Sequence, residues 1–243
     1  MKTIENRKSK TGNAFGFTLI ELLVVIAIIG VLAAMTIPIL GSLKRQQALK
    51  VARGEMEKIE TALESYKAQY GVYPPGNQNA ADLSKIPPYY PALYNQLYYE
   101  LSGTTNNGGA YVTLDGVDSI SISPANQVKA AYGVEGFVNN AKGGGEDVQP
   151  AQNFLPGLKP NAYNSSITNN SIRTTELVTS FTGTDPAYQP LGPGSAGINP
   201  FRYLYPGVNN PNSYDLWVQL VIKGKTNLVC NWNKQVIINS SLP

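Results

Sequence analysis

The 243-residue chain contains no histidine, which removes the commonest neutral-pH acid–base group and the commonest zinc ligand together. Its single cysteine, Cys230, leaves no internal disulfide to form. With no imidazole to deprotonate it, that thiol reads as a partly buried structural group rather than a nucleophile. Charged residues make up only 14% of the chain, and it has no G-x-S-x-G elbow, no Walker loop and no clustered metal ligands. Gly143, Gly144 and Gly145 lack the strand–loop–helix setting and the lysine of a phosphate loop, so they read as loop. These absences leave no catalytic constellation and no metal site, and the chain is expected not to be an enzyme.

Net charge is +3, but residues 1–16 hold Lys2, Arg7, Lys8 and Lys10 against Glu5, and the remainder carries fifteen residues of each sign. The basic character therefore sits in the first segment. The chain-wide balance offers no phosphate-binding surface, and no nucleic-acid partner is expected. A hydrophobic content of 42% is that of a folding protein.

The feature that decides the class is a long apolar run. Residues 17–37, FTLIELLVVIAIIGVLAAMTI, are 21 consecutive residues with one charge, Glu21, long enough as a helix to cross about 30 Å of hydrocarbon. An ordinary secretory signal cleaved near Ala34 is the alternative, but its apolar region would be unusually long and no A-x-A site is present. Charge alone does not orient the span, because Lys44, Arg45, Lys50 and Arg53 follow it as closely as four basic residues precede it. A carboxylate at the head of an apolar span is a functional candidate, with snorkelling to headgroups as the bland reading of Glu21.

Lys10 to Gly16 followed by Phe17-Thr18-Leu19-Ile20-Glu21 resembles the processing site of type IV prepilins and type II secretion pseudopilins. The resemblance implies cleavage between Gly16 and Phe17 by a prepilin peptidase, N-methylation of Phe17 by the same class of enzyme, and an assembly role for Glu21 at the family's fifth position. Gly30 and Pro38 also fit the pattern. It further implies a single-pass chain in the inner membrane, with the leader in the cytoplasm and the bulk of the chain periplasmic or extracytoplasmic. The implied partners are other copies and other (pseudo)pilins in a filament, and an inner-membrane assembly platform with its ATPase.

Beyond the span, Leu49, Ala52, Met56, Ile59, Leu63, Tyr66 and Tyr70 are spaced alternately three and four apart, which is one helical face. Glu55, Glu57, Lys58, Glu60, Glu64 and Lys67 take the other positions. The stripe therefore faces something apolar: the chain's own sheet, with a short coiled coil as the alternative. Pro38 removes a backbone donor and crowds a carbonyl, so a kink is expected near residues 34–38, and Gly71 with Pro74 and Pro75 stops the helix.

Glu57 to Pro75, with Tyr66, Gly71, Tyr73 and Pro74, looks like the helix end of the major pseudopilin of type II secretion. The stretches Asn199 to Gly207, Tyr214 to Trp217 and Asn231-Trp232 are similar to that family's C-terminal strands. The residues alone support this part. Tyr214, Leu216, Val218, Leu220 and Ile222 alternate with Asp215, Trp217, Gln219 and Val221, so strands at 201–205, 214–222 and 228–233 are expected to form an antiparallel meander. Residues 76–198 read as mostly loop, with a short helix over 91–101 and a strand over 119–123. The tyrosines Tyr89, Tyr90, Tyr94, Tyr98 and Tyr99 are expected to pack in a polar-rimmed core or, as the alternative, to form a binding surface.

The expected fold is thus α+β, a long N-terminal helix (membrane span plus amphipathic stalk) packed on a small antiparallel sheet with a long loop-rich insertion, as in type IV pilins. The expected segments are a cleaved leader (1–16), a transmembrane and assembly segment (17–40), a stalk helix (41–71), a variable region (72–198) and C-terminal strands (199–243). The expected function is that of a structural subunit of a type II secretion pseudopilus; the alternative is a type IV pilin of a surface filament for adhesion, motility or DNA uptake. Cofactors are expected to be none. The resemblance implies calcium, which major pseudopilins bind through carboxylates in C-terminal loops, but Asp215 is the only acid from Pro186 onward, and Lys223-Gly224-Lys225 stands where that family has an acidic loop.

Overall fold

The computed structural model describes residues 16–79, 90–123, 125–141, 150–181 and 188–239, those at 35–42 and 90–91 by backbone alone. Lys2, Arg7, Lys8, Lys10, Tyr89 and residues 143–145 lie outside the described residues, as does the side chain of Tyr90. The fold is α+β. The chain divides into two compact units, Met1–Lys44 and Arg45–Pro243, and helix α1 (Leu19–Tyr70) contributes residues to both.

In the second unit the three–four spacing of the stalk becomes its buried face. Ala52, Met56, Ile59, Leu63 and Tyr66 are buried, with Leu49 and Tyr70 packed at the edges. The stripe joins Leu216, Val218, Leu220 and Ile222 in one hydrophobic cluster, so the chain's own sheet covers it, and no coiled-coil partner is needed to do so. Each large side chain buried there stabilises by about 1.5–3 kcal/mol. Two arginines fix the register of helix on sheet. The Arg45 guanidinium donates to Asn227 Oδ1 from Nε (3.0 Å) and Nη2 (2.7 Å), and Arg53 donates to the carbonyl oxygens of Cys230 (2.7 Å), Asn233 (3.2 Å) and Lys234 (3.3 Å). The helix ends at Gly71, whose N–H reaches the Lys67 carbonyl at 2.8 Å.

The C-terminal sheet contains β7 (Arg202–Leu204), β8 (Asp215–Ile222), β9 (Lys225–Cys230) and β10 (Ile237–Ile238), all antiparallel, in the order β10-β9-β8-β7. The expected meander is present, with the third strand beginning earlier because the β8–β9 turn has only two residues, Lys223 and Gly224. Strand β8 is buried along its whole length on both faces. Behind the face that meets the stalk, Trp217 packs with Ala92, Leu228 and Cys230, and edge-on against Trp232 at 5.7 Å between ring centroids.

The middle region departs most from expectation. Loop predominates among its described residues, but it carries more strand than the one piece expected over 119–123: β1 (Thr104–Asn106), β2 (Ala110–Thr113), β3 (Ser119–Ser121) and β4 (Asn140–Ala141) form a sheet in the order β3-β2-β1-β4, and β5 (Tyr163–Asn169) pairs with β6 (Ile172–Leu177). The single helix expected over 91–101 is broken into α2 (Tyr90–Leu93) and α3 (Leu97–Ser102); α4 spans Gln127–Tyr132. The break has a local cause at Asn95. Its Nδ2 donates to the carbonyls of Ala92 (3.1 Å) and Phe201 (2.9 Å), and its Oδ1 accepts from Leu97 N (3.3 Å). An asparagine side chain that bonds nearby backbone offers it an alternative to the helical ladder.

Candidate assembly site

Helix α1 begins in the first unit with Thr18 as its N-cap. The Thr18 Oγ1 accepts from the Glu21 N–H at 3.3 Å, while the Glu21 carboxylate accepts from the Thr18 N–H (2.8 Å) and from the Thr18 hydroxyl (2.7 Å). This is a capping box, in which two donors left over at a helix start are satisfied reciprocally. The signal stood in the sequence as Thr-Leu-Ile-Glu, and reading Glu21 only as a charge in an apolar run missed it. A carboxylate in the first turn also meets the positive end of the helix dipole.

Both hydrogen bonds that Glu21 accepts fall on Oε2. Oε1 has no hydrogen-bond donor among the described residues and is the atom open to a further one. Gly16 and Phe17 precede the cap directly, and both are exposed, Phe17 by 82%. Gly16, Phe17 and Glu21, the residues expected to be cut, methylated and used in assembly, thus lie within six residues at the start of the helix. Gly30 lies further along the same helix, and a Cβ added there would meet nothing within 4 Å. The kink expected near residues 34–38 falls largely on residues described by backbone alone, Pro38 among them.

Apart from Glu21, the helix is apolar on every side from Leu19 to Leu32, and Leu19, Ile20, Leu22, Leu23, Val25, Ile28 and Leu32 are all exposed. A helix that is hydrophobic all round needs an apolar environment: a protein core, other helices or lipid. Among the described residues no helix is long and apolar enough to cross a membrane.

In the second unit the buried side chains considered as candidates are tied into the fold. Tyr94, Tyr98 and Tyr99 are buried, so these members of the tyrosine cluster pack rather than form a surface. Tyr98 and Tyr99 donate their hydroxyls to Asp115 (2.8 Å) and Asp118 (2.7 Å), and burial, reinforced by those carboxylates, pushes both phenols up. Cys230 is fully buried, which pushes its thiol up and away from nucleophilic form. Beside the stalk, a groove of about 660 Å³ is lined by Lys50, Glu55, Lys58, Phe154, Leu158 and Phe201. Its carboxylate, Glu55, is already taken by the Thr179 hydroxyl (2.8 Å), the Ser180 N–H and the Ser180 hydroxyl.

Sequence reasoning did not foresee two buried carboxylates. Glu100 accepts from the Tyr66 hydroxyl (2.9 Å) and from the N–H groups of Val138 and Asn139 (both 3.0 Å), which ties the stalk to the segment ahead of β4. Glu176 accepts from Asn95 N (3.1 Å), the Tyr132 hydroxyl (3.3 Å) and the Thr174 hydroxyl (3.5 Å). Burial raises both carboxyl pKa values, that of Glu176 well above the usual range.

Residues 12–37 match the family model described as the prokaryotic N-terminal methylation motif. The chain is similar to the protein named type II secretion system core protein G in several bacteria. It is 42% identical to that of Pseudomonas aeruginosa over 72 residues, covering 30% of this chain and 51% of the relative. With the Escherichia coli protein it shares 40% over 86 residues, 35% of this chain and 59% of the relative. With the Vibrio cholerae protein the figure is 36% over 72 residues, 30% and 49%. The chain thus spans about half the length of the curated relatives it matches. No solved structure matches it.

Proposed function

We propose that this chain is a structural subunit of a type II secretion pseudopilus and has no catalytic role of its own. It enters the inner membrane through residues 17–40 with residues 1–16 in the cytoplasm. A prepilin peptidase cuts it between Gly16 and Phe17 and methylates Phe17. The mature chain then polymerises with other copies and other pseudopilins, on a membrane platform driven by an ATPase, into a short periplasmic filament that pushes folded proteins through an outer-membrane channel. The observation that carries this reading is the methylation motif at the head of a helix whose stretch from Leu22 to Leu32 is apolar on every side, in a chain similar to core protein G.

The chemistry of assembly follows from the helix start. Once Phe17 is the first residue, its amine stays protonated after methylation, one turn from a carboxylate, and both charges are unwelcome in lipid. Bundled helices allow the Phe17 amine of one subunit to meet Glu21 of its neighbour at Oε1, while Oε2 keeps the cap. The pairing also sets the axial stagger, because one register brings each amine to a carboxylate. Deleting the gene and scoring exoprotein release beside surface pili tests the assignment. Lost release with pili unchanged is expected; lost pili with normal release would replace this reading with a surface-filament pilin.

A further inference from the structure

The resemblance to major pseudopilins carries calcium with it, and both C-terminal loops where a cation would sit are built otherwise here. The loop between β7 and β8 closes on a single carboxylate. Asp215, 1% exposed, accepts at Oδ2 from Val208 N (2.9 Å), Asn209 N (2.7 Å) and Asn209 Nδ2 (3.0 Å), and at Oδ1 from Asn210 N (3.0 Å). Three successive backbone N–H groups wrapped round an anion form a nest, whose dipoles point their positive ends inward and repel a cation. Gly207 lets the backbone close on the carboxylate, since a Cβ there would lie 2.6 Å from Asp215 Oδ1. Asn231 locks the loop to the end of β9, its Oδ1 accepting from Leu216 N (3.0 Å) and its Nδ2 donating to the Tyr214 carbonyl (2.9 Å).

The connection between β8 and β9 leaves no room for a ligand set. Ile222 pairs with Lys225, so the turn is Lys223 and Gly224 alone, with φ of 53° and 70°. Positive φ at both central residues is the type I′ geometry of a tight hairpin. Its side chains are two exposed lysines flanking a glycine. Calcium takes six to eight oxygens, normally with several carboxylates, and Asp215 is the only acid from Pro186 onward.

The geometry points to an internal replacement: the Asp215 carboxylate, held by loop N–H groups, organises the C-terminal loops of this chain, and its fold takes no calcium. The residues do not fit the ion that the resemblance implies. The inference concerns folding alone, so its test is independent of whether the filament serves secretion.

Thermal unfolding of the full chain in detergent, followed by circular dichroism, is compared in a calcium chelator and in calcium up to roughly 10 mM, beyond the weakest common protein sites. The expected result is one melting temperature in both. A rise in calcium would overturn the inference; a stabilising site at a hundredfold excess of ion would give roughly 5–10 °C. Asp215→Asn keeps the shape but loses the charge and one acceptor. It is expected to lower the melting temperature by the same several degrees in chelator and in calcium. An unchanged melting temperature in that variant would refute the organising role of the carboxylate.

Discussion

Replacing Glu176 by glutamine removes a buried charge while keeping its bonds, and this substitution probes the polar core of the variable region. Glu176 joins three elements: the α2–α3 break through Asn95 N, α4 through the Tyr132 hydroxyl, and its own strand β6. No lysine or arginine pairs with it among the described residues. The folded-state pKa is raised by desolvation, so the folded chain holds this proton more tightly than the unfolded chain does. Stability from the group is therefore fully present below the unfolded carboxyl pKa of about 4.3 and is lost as pH rises toward the folded value. Within that window each pH unit removes about 1.4 kcal/mol. In Glu176→Gln the amide oxygen still accepts from Asn95 N, and the amide NH₂ faces two hydroxyls that can accept as well as donate. Urea unfolding of parent and variant from pH 4.5 to 7.5 is expected to show the parent losing up to about 1.4 kcal/mol per pH unit more than the variant across the window, and the variant at least as stable at the upper end. Glu176→Ala, which leaves buried donors unpaired, is expected to cost about 3 kcal/mol or more at pH 4.5, a difference that shrinks as the parent loses stability across the window. Parallel pH profiles for parent and Glu176→Gln would refute the reasoning.

Two further outcomes follow from the helix. Glu21→Gln keeps the capping box, which accepts glutamine, but drops the charge; it is expected to insert and be cleaved normally yet incorporate poorly into sheared filaments at matched expression, and assembly at the parental level would reduce Glu21 to a cap. Leu63→Ala empties a fully buried position between stalk and sheet and is expected to lower unfolding free energy by about 2–5 kcal/mol in urea titration, with a change under about 1 kcal/mol contradicting the packing described.

The parts of the fold that the sequence made legible are those where burial follows a period. Met56, Ile59, Leu63 and Tyr66 repeat every three or four residues because one helix face meets one sheet, and Leu216, Val218 and Leu220 alternate for the complementary reason. The variable region was illegible because polar pairing, rather than an apolar period, shapes it. Strand β5 is Tyr-Asn-Ser-Ser-Ile-Thr-Asn, with only Ile167 and Asn169 buried, and Asn169 is placed there by donating to the Ala131 carbonyl at 2.7 Å. Glu100, Glu176 and Asn95 are residue types that sequence reasoning leaves at the surface, and each has a partner tens of residues away, Tyr66 for Glu100, Tyr132 for Glu176 and Phe201 for Asn95. The second buried face of β8 escaped notice for the same reason: Trp217 is covered in part by Ala92, a contact that no local pattern announces. At the candidate site the charge of Glu21 was read and its capping bond was not, although both belong to the same four residues.

The account turns on what happens at the Gly16–Phe17 junction, because leader removal creates the amine that Glu21 is proposed to meet. Intact-mass and fragment mass spectrometry of the chain extracted from membranes reads this directly. The predicted species begins at N-methylated Phe17 in the parent and remains uncut in Gly16→Arg; a mature chain beginning at Met35 or beyond would contradict the account.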